Sequence, residues 1–553
     1  MNGGDGAVRG GGGSLRGRGR ATAGAAGDAE AVAGGRTLVR AGLVVTAAYL
    51  ASRILGWVRT AVLLAVFGAG RELDAYLAAF RIPDAMFQLV AAGALGSALI
   101  PVLAGLFHEG RHREAWRLVS SVLNLLLLAL AGLAVIFFVA APWIMPLITQ
   151  DFTPEQLDLA VRLSRIMLLS PILLALSAVA TSVLNAGNRF TAASLAPLLY
   201  NLAIIVPVVL LGAGMGVTVA AVGVVVGAAL SLLVQVLPLD AMGYRYQRVA
   251  DTADPATREV VRLVAPRAVG LGATQITFIV NTLLASGLGA GLITDYTAAF
   301  TAYQIPIGII GLPLGVVLLP SLSTALAAGE DRAFGRLVTR SLRLLLFVMF
   351  FLTSVGMVVR TQVIDLLFGY GHFNRQDVTA TSDALLFFLL GLAADSLVVV
   401  LARAFYADRE TRIPVFAALL AVAINVVISV VSVGTLGLRG LALGIALGAW
   451  AEAVALTVLL TRRVDSVDLR GLVAAAVVFA AGALLAAVAA GRALELLGGL
   501  AGAAPGRVLV LVELVAASGA GAVVYAVWCA LLRVPELPEV VRLVRDLLGR
   551  RIA

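Results

Sequence analysis

The chain consists of long apolar stretches separated by short polar connections. Residues 123–141, for example, show no alternation of polar and apolar positions. A helix needs roughly 20 apolar residues to cross the hydrocarbon core of a bilayer, where every backbone polar group must be paired within the protein. The strands of a membrane barrel would instead alternate. The pattern therefore predicts an all-α polytopic membrane protein.

We predict about fourteen transmembrane helices from these stretches. Several are longer than a crossing requires, which indicates tilted helices or helix ends that extend into water. The predicted spans are 41–68, 74–106, 117–141, 157–185, 190–213, 217–240, 258–290, 293–327, 336–367, 378–407, 412–434, 437–461, 469–491 and 507–532.

Two terminal segments lie outside this pattern. Residues 1–36 are mostly Gly, Ala and Arg, a composition typical of disorder, and we predict a disordered cytoplasmic tail without a cleaved signal peptide. Residues 534–553 instead place apolar and basic side chains on opposite sides of a helix, as in an amphipathic helix on the membrane surface. The apolar positions are Val540, Leu543 and Leu547, and the basic positions are Arg542, Arg545 and Arg550.

Composition and charge agree with a membrane protein. The 553 residues are 61% hydrophobic and 13% charged, with a mean hydropathy of +1.01. Every basic residue is Arg, and the arginines are concentrated in alternate connections and in both tails. Because arginine accumulates in cytoplasmic loops, we predict a multi-pass membrane protein with both termini in the cytoplasm. The net charge of +9 then reflects topology, and we expect no nucleic-acid partner.

The residue types also restrict the chemistry. A single cysteine, Cys529, permits neither a disulfide framework nor a cysteine metal site, and we predict no metal. The chain has no Lys, so it cannot contain the ATP-binding loop that ends in Gly-Lys-Ser/Thr. We expect no cofactor, and any driving force must come from the membrane potential, a monovalent cation or removal of the substrate.

The chain contains an internal repeat. The pattern at residues 95–127 recurs at 314–346, and the Gly-Ala-Gly of 68–70 recurs at 289–291. The copies begin six predicted spans apart, an even number, so both have the same orientation in the membrane. Parallel repeats are typical of two helical lobes with a substrate path between them. We predict an N-terminal six-helix lobe at 37–250, a C-terminal six-helix lobe at 251–465 and an extra helix pair at 466–533.

Two arginines lie within the first predicted span, where charge is costly. Arg53 and Arg59 occur in Ser52-Arg53-x-x-Gly56-x-x-Arg59 and fall within one broad helix face. Charged side chains within a membrane usually face a cavity, and a guanidinium binds phosphate through two hydrogen bonds. We predict that Arg53 and Arg59 bind a phosphorylated substrate and that the small Ser52 and Gly56 leave room for it. The alternative is a structural role, in which the arginines neutralise carboxylates of the second span or extend to the membrane surface.

Charged residues of the second predicted span are candidates for a gate. Asp74 begins the span, and Arg81 and Asp84 lie beside Pro83, which removes a backbone hydrogen bond and can kink the helix. We expect Asp74 to pair with an arginine and an outer gate to open when the pair breaks, with Arg81 and Asp84 as further ion-pair candidates. The alternative for Asp74 is an acid favoured by the dipole at a helix N-terminus.

Two polar residues of the C-terminal lobe are candidates for ion coupling. Asp395 is the carboxylate deep within the tenth predicted span, and Asn425 is an amide within the eleventh. A cation or a proton could bind there. The alternatives are a structural acid, neutral or paired with Arg403, and an amide that bonds neighbouring helices.

Short motifs also occur in a fixed order over residues 41–530. In the first lobe they are Ser52-Arg53-x-Leu55-Gly56-x-x-Arg59, Phe67-Gly68-Ala69-Gly70, Asp74-Ala75, Phe80-Arg81-x-Pro83, Gly93-Ala94, Pro101, Ala140-Ala141-Pro142-Trp143 and Leu184-Asn185-x-x-Asn188-Arg189-Phe190. In the second they are Gln275-Ile276, Asn281-Thr282-x-x-Ala285-Ser286, Leu318-Leu319-Pro320-Ser321-Leu322-Ser323, Phe368-x-Tyr370-Gly371-x-Phe373 and Phe405-Tyr406. This ordered set resembles the MurJ (MviN) lipid II flippases of the multidrug/oligosaccharidyl-lipid/polysaccharide exporter superfamily.

The resemblance implies a fold and a function. The fold is two six-helix lobes plus a final pair that forms a groove for a lipid tail. The function is transport without enzyme activity. By alternating access, a central cationic cavity moves lipid II, a polyprenyl-pyrophosphate-linked peptidoglycan precursor, from the inner to the outer leaflet. This transport serves cell-wall biogenesis and cell shape. Arg53, Arg59 and Asp74 match the family's functional positions. The implied location is the bacterial cytoplasmic (inner) membrane, and the implied partners are the lipid-linked glycan, membrane lipid and cell-envelope synthesis proteins.

Several positions depart from the family pattern. Phe87, Gln88 and Thr301 stand where many members have arginine, and Ala92 stands where they have an acid. The predicted cavity is therefore less positive than the family's. Alternatives are a flippase for another lipid-linked glycan, an exporter of the same superfamily, or a non-transporting scaffold for cell-envelope synthesis proteins. The sequence leaves open the head group, the coupling ion, the oligomeric state and whether this copy transports.

Overall fold

A computed structural model describes residues 47–48, 50–90, 94–498 and 506–549. These residues form helices joined by turns and loops, with no strand among them, which confirms the all-α prediction. The predicted tail at 1–36 lies outside the described residues. The helices are α1 (Leu50–Phe67), α2 (Arg71–Val90), α3 (Ala94–His108), α4 (His112–Ile148), α5 (Pro154–Met167), α6 (Leu169–Ala186), α7 (Phe190–Met215), α8 (Thr218–Asp240), α9 (Pro255–Ser286), α10 (Leu292–Pro306), α11 (Leu312–Ala327), α12 (Asp331–Val358), α13 (Arg360–Phe368), α14 (Arg375–Leu389), α15 (Leu392–Ala407), α16 (Arg412–Leu436), α17 (Leu438–Arg463), α18 (Leu469–Gly498), α19 (Arg507–Leu531) and α20 (Glu536–Gly549).

The chain is a multi-pass membrane protein. In its described part, 11 helices are long and apolar enough to cross a membrane, or 12 if α14 and α15, bent by 48°, form one span. The figure of about fourteen is not confirmed and stays a prediction. The predicted second span is divided into α2 and α3, and α2 has five charged residues among its 20. Side chains such as Leu210 and Val431, 73% and 75% exposed, form the outer surface that faces lipid.

The last two helices of each lobe approach each other closely through small residues. A Cβ added to Gly227 of α8 would lie 2.8 Å from the Tyr200 carbonyl oxygen in α7. A Cβ added to Gly448 of α17 would lie 2.7 Å from the Ala421 carbonyl oxygen in α16. Lipid gives helices no hydrophobic reason to associate, so close backbone contact is a main source of their packing energy. In both lobes a glycine of the last helix packs against a backbone carbonyl group of the preceding helix.

The helix connections lie on two opposite faces. The sealed face has the turns at 68–70, 149–153, 287–291 and 369–374, and the linker face has those at 109–111, 187–189, 241–254, 328–330 and 408–411. We use first lobe for α1–α8, second lobe for α9–α17 and linker for 241–254. The predicted lobe boundaries stay predictions. The lobes meet where α2 packs on α9 and α10.

The extra pair, α18 and α19, packs on α12 of the second lobe. Polar contacts hold this pair at two levels and the following helix, α20, at a third. Near the sealed face, Gln362 Nε2 donates to Glu513 Oε2 at 3.1 Å, and in the middle Tyr525 Oη donates to the Phe347 carbonyl oxygen at 2.8 Å. At the linker face, Arg343 Nε is 2.5 Å from Glu536 Oε1 of α20. The predicted amphipathic segment at 534–553 is α20 in its described part, and its Arg550 lies outside the described residues.

The Tyr525→Phe variant should have a lower thermal stability. The tyrosine is buried, and removing its hydroxyl breaks one hydrogen bond between α19 and α12. Such a bond contributes about 1 kcal/mol, so we expect a loss of a few degrees in a thermal melt of the detergent-solubilised protein. The control is Val477→Ala, a lipid-facing change on α18 where the side chain is 64% exposed. An equal melting temperature for Tyr525→Phe and the wild type would contradict this role of Tyr525.

Candidate substrate cavity

Two adjoining cavities lie in the first lobe, and Thr301 of α10 contributes to the wall of the larger one. The larger measures about 640 Å³ and the smaller about 550 Å³. Because they share five lining residues, they form one continuous volume, the central cavity. The shared residues are Arg59, Thr181, Asn185, Ala193 and Pro197.

Helix α1 directs its polar side toward the central cavity. Ser52, Arg53, Gly56 and Arg59 all line it. The structure therefore brings together the four residues predicted to bind substrate. The opposite side of α1 is apolar and outward-facing: Leu50, Ile54 and Val58 are 51%, 53% and 39% exposed.

The two arginines have different surroundings. The Arg59 guanidinium carbon is 5.9 Å from the centre of the Tyr200 ring, close enough for a cation–π contact within the first lobe. Arg53 extends to the second lobe, where a Cβ added to Gly308 would lie 2.6 Å from Arg53 Nη1. Gly308 belongs to a π-helical turn, Ile307–Gly311, between α10 and α11, and such turns are frequent at functional sites. Arg53 therefore contacts the helix that must move if the lobes separate.

Neutral residues occupy the positions where the resemblance implies further arginines. Phe87 and Gln88 line the smaller part of the central cavity and Thr301 lines the larger part. The Thr301 hydroxyl donates its hydrogen bond to the Thr297 carbonyl oxygen at 2.7 Å, within α10, and not to the cavity. Ala92 lies outside the described residues. Arg53 and Arg59 are thus the arginines among the residues that line the cavity.

Arg81 and Asp84, the further ion-pair candidates of the second predicted span, have different surroundings. Arg81 Nε donates to Thr282 Oγ1 at 2.8 Å, and its guanidinium carbon is 5.4 Å from the centre of the Phe278 ring, both on α9. Asp84 lies in the wall of the central cavity. No salt bridge between described residues includes either side chain. The physical reason is that α9 offers Arg81 both an acceptor and an aromatic face, which hold the guanidinium across the lobe interface.

Asp74 caps a helix of the other lobe. Its Oδ2 accepts a hydrogen bond from the Gly291 N–H at 2.6 Å, and its Oδ1 accepts from the Thr294 N–H at 2.9 Å and from Thr294 Oγ1 at 2.7 Å. Backbone donors at a helix N-terminus lack partners within the helix, and the dipole there favours a carboxylate. Contrary to the prediction, no arginine among the described residues forms a salt bridge with Asp74, because α10 occupies its oxygens. The alternative prediction, an acid favoured by the dipole at a helix N-terminus, describes Asp74 correctly, but the helix is α10 of the other lobe and not α2.

Backbone contacts complete the closure of the sealed face. The His372 N–H donates to the Ala65 carbonyl oxygen at 2.8 Å, and the Gln150 N–H donates to Ser286 Oγ at 2.7 Å. Gly291 has φ +88°, and a Cβ there would lie 2.7 Å from the Ala69 carbonyl oxygen. The repeated Gly-Ala-Gly turns therefore meet across the lobes, and the second turn needs glycine both for its backbone conformation and for the close approach.

The Gly291→Ala variant should weaken this closure. Alanine would be strained at this φ and would collide with Ala69, and we expect a cost of about 1–3 kcal/mol. The measurement is labelling of a cysteine introduced at Thr301, in a Cys529→Ser background, by a membrane-impermeant thiol reagent added to intact cells.

Gly110→Ala is the matched control. Gly110 has φ +72°, but a Cβ there would meet no atom within 4 Å, so the substitution introduces backbone strain on the linker face without a collision. Faster labelling is expected for Gly291→Ala alone. Equal rates in the two variants would show that the contact with Ala69 does not hold the face closed.

Asp395 and Asn425 lie in separate hydrogen-bond groups. Asp395 Oδ2 accepts from Tyr303 Oη at 2.6 Å, whereas Asn425 contacts Ser429 at 3.4 Å and Asn281 at 3.5 Å. The ion-coupling role of these two residues stays a prediction. Asp395 is not paired with Arg403; its partner is a tyrosine.

Sequence reasoning missed a polar stripe on α4. Arg117, Ser120, Ser121 and Asn124 share one side of the helix, and each contacts the linker. The signal was present in the sequence, since these positions have helical spacing at the start of an otherwise apolar span.

Comparisons with known proteins agree with this architecture. Residues 63–501 match the family model described as lipid II flippase MurJ. A probable lipid II flippase MurJ of Rhizobium tropici is 31% identical over 77% of this chain and 81% of its own length. The lipid II flippase MurJ of Burkholderia cenocepacia is 30% identical over 77% of this chain and 84% of its own length.

Solved structures show the same fold. A lipid II flippase MurJ in an inward closed conformation superposes with a TM-score of 0.74 at 21% identity, covering 89% of this chain and 98% of that one. An inward-facing multidrug resistance transporter of the MATE family, in the MOP superfamily, gives a TM-score of 0.65 at 17% identity, covering 75% and 95%.

Proposed function

Because the chain belongs to the MurJ lipid II flippase family, we propose that it moves lipid II from the inner to the outer leaflet of the bacterial cytoplasmic membrane by alternating access. The observation that carries the proposal is the central cavity of the first lobe, in which Arg53 and Arg59 lie on one side of α1 and Thr301 of the second lobe forms part of the wall. A diphosphate carries negative charge that two guanidinium groups can bind without changing protonation.

The contacts between the lobes support an orientation. The central cavity reaches the linker face, since its lining includes Asn185 and Phe190 beside the turn at 187–189. The opposite face is closed by Asp74. The arginine-rich connections lie on the linker face, so we propose that this face and both termini are cytoplasmic. The conformation is then one that accepts a head group from the inside.

The cycle follows from the two arginine environments and the Asp74 cap. A diphosphate entering from the linker face draws the Arg53 guanidinium away from Gly308 and frees the π-helical turn next to α10. Movement of α10 then separates the Gly291 and Thr294 donors from Asp74, and the sealed face opens. Since ligands shift equilibria only through differential binding, the head group must bind the outward-open state more tightly than the state described. We propose that the membrane potential or a monovalent cation returns the protein to its starting state.

The lipid tail remains outside the central cavity. An apolar groove of about 280 Å³ lies between α12, α15, α17 and α18. Its wall includes Val454 and Val473, which are 55% and 57% exposed toward lipid. We propose that this groove, formed partly by the extra helix pair, takes part of the prenyl chain.

A second candidate function is transport of another lipid-linked glycan. Phe87, Gln88 and Thr301 favour it, because they make the central cavity less positive than the family pattern implies.

Rescue of a bacterial strain depleted of its own lipid II flippase tests the proposal. Growth on expression of the wild-type chain supports lipid II transport. Failure to grow, with the protein present in the membrane at normal amounts, would contradict it and favour the second candidate or a non-transporting scaffold for cell-envelope proteins.

A further inference from the structure

A second, apolar slot lies on the first lobe, on the side facing away from the central cavity. It measures about 420 Å³ and lies between α4, α6 and α8. Helix α6 separates the two: Ser177, Thr181 and Asn185 line the central cavity, whereas Val179 and Val183 line the slot. The slot therefore does not belong to the substrate path.

The interior of the slot suits a hydrocarbon chain. Ten of its fourteen lining residues are aliphatic. Leu127 and Val236 at its edge are 41% and 45% exposed, which leaves the slot open to the surrounding lipid. An acyl chain of a membrane lipid can enter from the side without crossing any polar surface.

The linker forms the polar mouth of the slot and is held there by the polar stripe of α4. Asn124 Nδ2 donates to the carbonyl oxygens of Gln247 at 3.0 Å and Val249 at 2.8 Å, and its Oδ1 accepts from Tyr246 Oη at 2.7 Å. Ser120 Oγ accepts from the Gln247 N–H at 3.1 Å. Both polar atoms of the Asn124 side chain therefore bind the linker and hold it over the apolar slot.

The charges at the mouth leave two arginines without a carboxylate partner. Arg117 is neutralised by Asp251 at 2.9 Å. Hydrogen bonds from the Ala253 and Asp254 N–H groups, together with Arg117, lower the pKa of the Asp251 carboxyl, so it is ionised at neutral pH. Arg245 and Arg248, by contrast, are exposed and make no salt bridge within the described residues.

Asp240 is the carboxylate that lines the slot. Asp254, the other carboxylate of the linker, is half-buried and accepts hydrogen bonds from Thr257 at the start of α9, so Arg245 and Arg248 are the exposed charged residues of the linker. Arg245 stands between Tyr244 and Tyr246, both of which line the slot. A negatively charged head group is therefore complementary to the mouth, while its acyl chain is complementary to the slot.

We propose that this slot binds an anionic glycerophospholipid, with one acyl chain between α4, α6 and α8 and the phosphate against Arg245 and Arg248. The bound lipid would support the linker, which is the covalent connection between the two lobes. The proposal does not depend on which glycan the central cavity carries.

The test uses the full chain in detergent, titrated with phosphatidylglycerol or phosphatidylcholine and observed by native mass spectrometry. Each arginine near a membrane surface contributes roughly fivefold in affinity for anionic lipid. We therefore expect the first phosphatidylglycerol to bind at least about tenfold more tightly than phosphatidylcholine, and R245Q/R248Q to lose about 20-fold. The matched control, R332Q/R336Q, removes two exposed arginines from α12 on the same face and should bind as the wild type does.

A second pair of variants tests the slot itself. Val236→Phe fills it and should weaken binding, whereas Val222→Phe, an exposed position on the same helix outside the slot, should not. Hydrogen exchange should show protection of linker amides at 244–251 when phosphatidylglycerol is added to the wild type. Equal binding by R245Q/R248Q and wild type, equal losses in R332Q/R336Q, or protection confined to other segments would each overturn the proposal.

Discussion

Cells depleted of their own lipid II flippase should grow with the wild-type chain and fail to grow with the Arg59→Ala variant. Arg59 lines both parts of the central cavity and is one of two arginines in its lining. Removing one partner of a desolvated, hydrogen-bonded charge pair costs about 2–5 kcal/mol, or roughly 30-fold to several thousand-fold in affinity. Phe87, Gln88 and Thr301 stand where the family pattern implies further arginines. The lining of the cavity therefore contains no third arginine that could take the place of Arg59.

Two further variants make this result specific. Arg59→Lys keeps the charge but loses the two-pronged phosphate contact, so we expect slow growth between the wild type and Arg59→Ala. Arg336→Ala removes an exposed arginine from the linker face and should support normal growth. Normal growth with Arg59→Ala, at equal protein levels in the membrane, would show that Arg59 is structural.

The Asp74→Ala variant should expose the central cavity to the outside. The substitution leaves the Gly291 N–H, the Thr294 N–H and the Thr294 hydroxyl without their acceptor in the closed state. Leaving these donors unpaired costs about 3 kcal/mol, which shifts the equilibrium toward opening of the sealed face by about 100-fold. The measurement is the labelling rate of a cysteine at Thr301, in a Cys529→Ser background, by an impermeant thiol reagent in intact cells.

The internal repeat supplies a matched control for Asp74. Asp295 is the equivalent residue of the second lobe and is also buried, but its Oδ1 accepts a hydrogen bond from Thr381 in its own lobe, at 3.1 Å. Asp295→Ala should therefore reduce thermal stability without a comparable rise in labelling. A large rise in Asp295→Ala, or none in Asp74→Ala, would show that the cap on α10 does not control access.

Much of the cavity was accessible from the sequence. Arg53 and Arg59 were informative because charge within an apolar span is costly and the spacing puts both arginines on one side of a helix. The same argument placed Ser52 and Gly56 beside them. The repeat predicted the two lobes and drew attention to the Gly-Ala-Gly turns. The contact of Gly291 with Ala69 explains the role of these turns.

The partners of the gate residues were not accessible in the same way. Nothing near Asp74 in the sequence indicates that it caps α10, because its partners lie more than 200 residues away. Arg81 likewise contacts Thr282 and not the nearby Asp84. The periodicity of a sequence predicts which face of a helix is polar. It does not predict whether a charged side chain on that face binds an arginine, a helix end or a hydroxyl, because that depends on how the lobes pack. The number of spans was hard to predict for a related reason, since a charged helix such as α2, most of whose side chains are buried or half-buried, lacks the continuous apolar stretch of a lipid-facing span.

The most direct test of a guanidinium-lined cavity is the binding of lipid II to purified protein. We predict that the wild type binds lipid II more tightly than it binds undecaprenyl phosphate or an unrelated glycolipid, and that the Arg53→Ala, Arg59→Ala double variant loses at least about 100-fold in lipid II affinity. Equal lipid II affinities for the wild type and the double variant, with both proteins folded, would contradict the account.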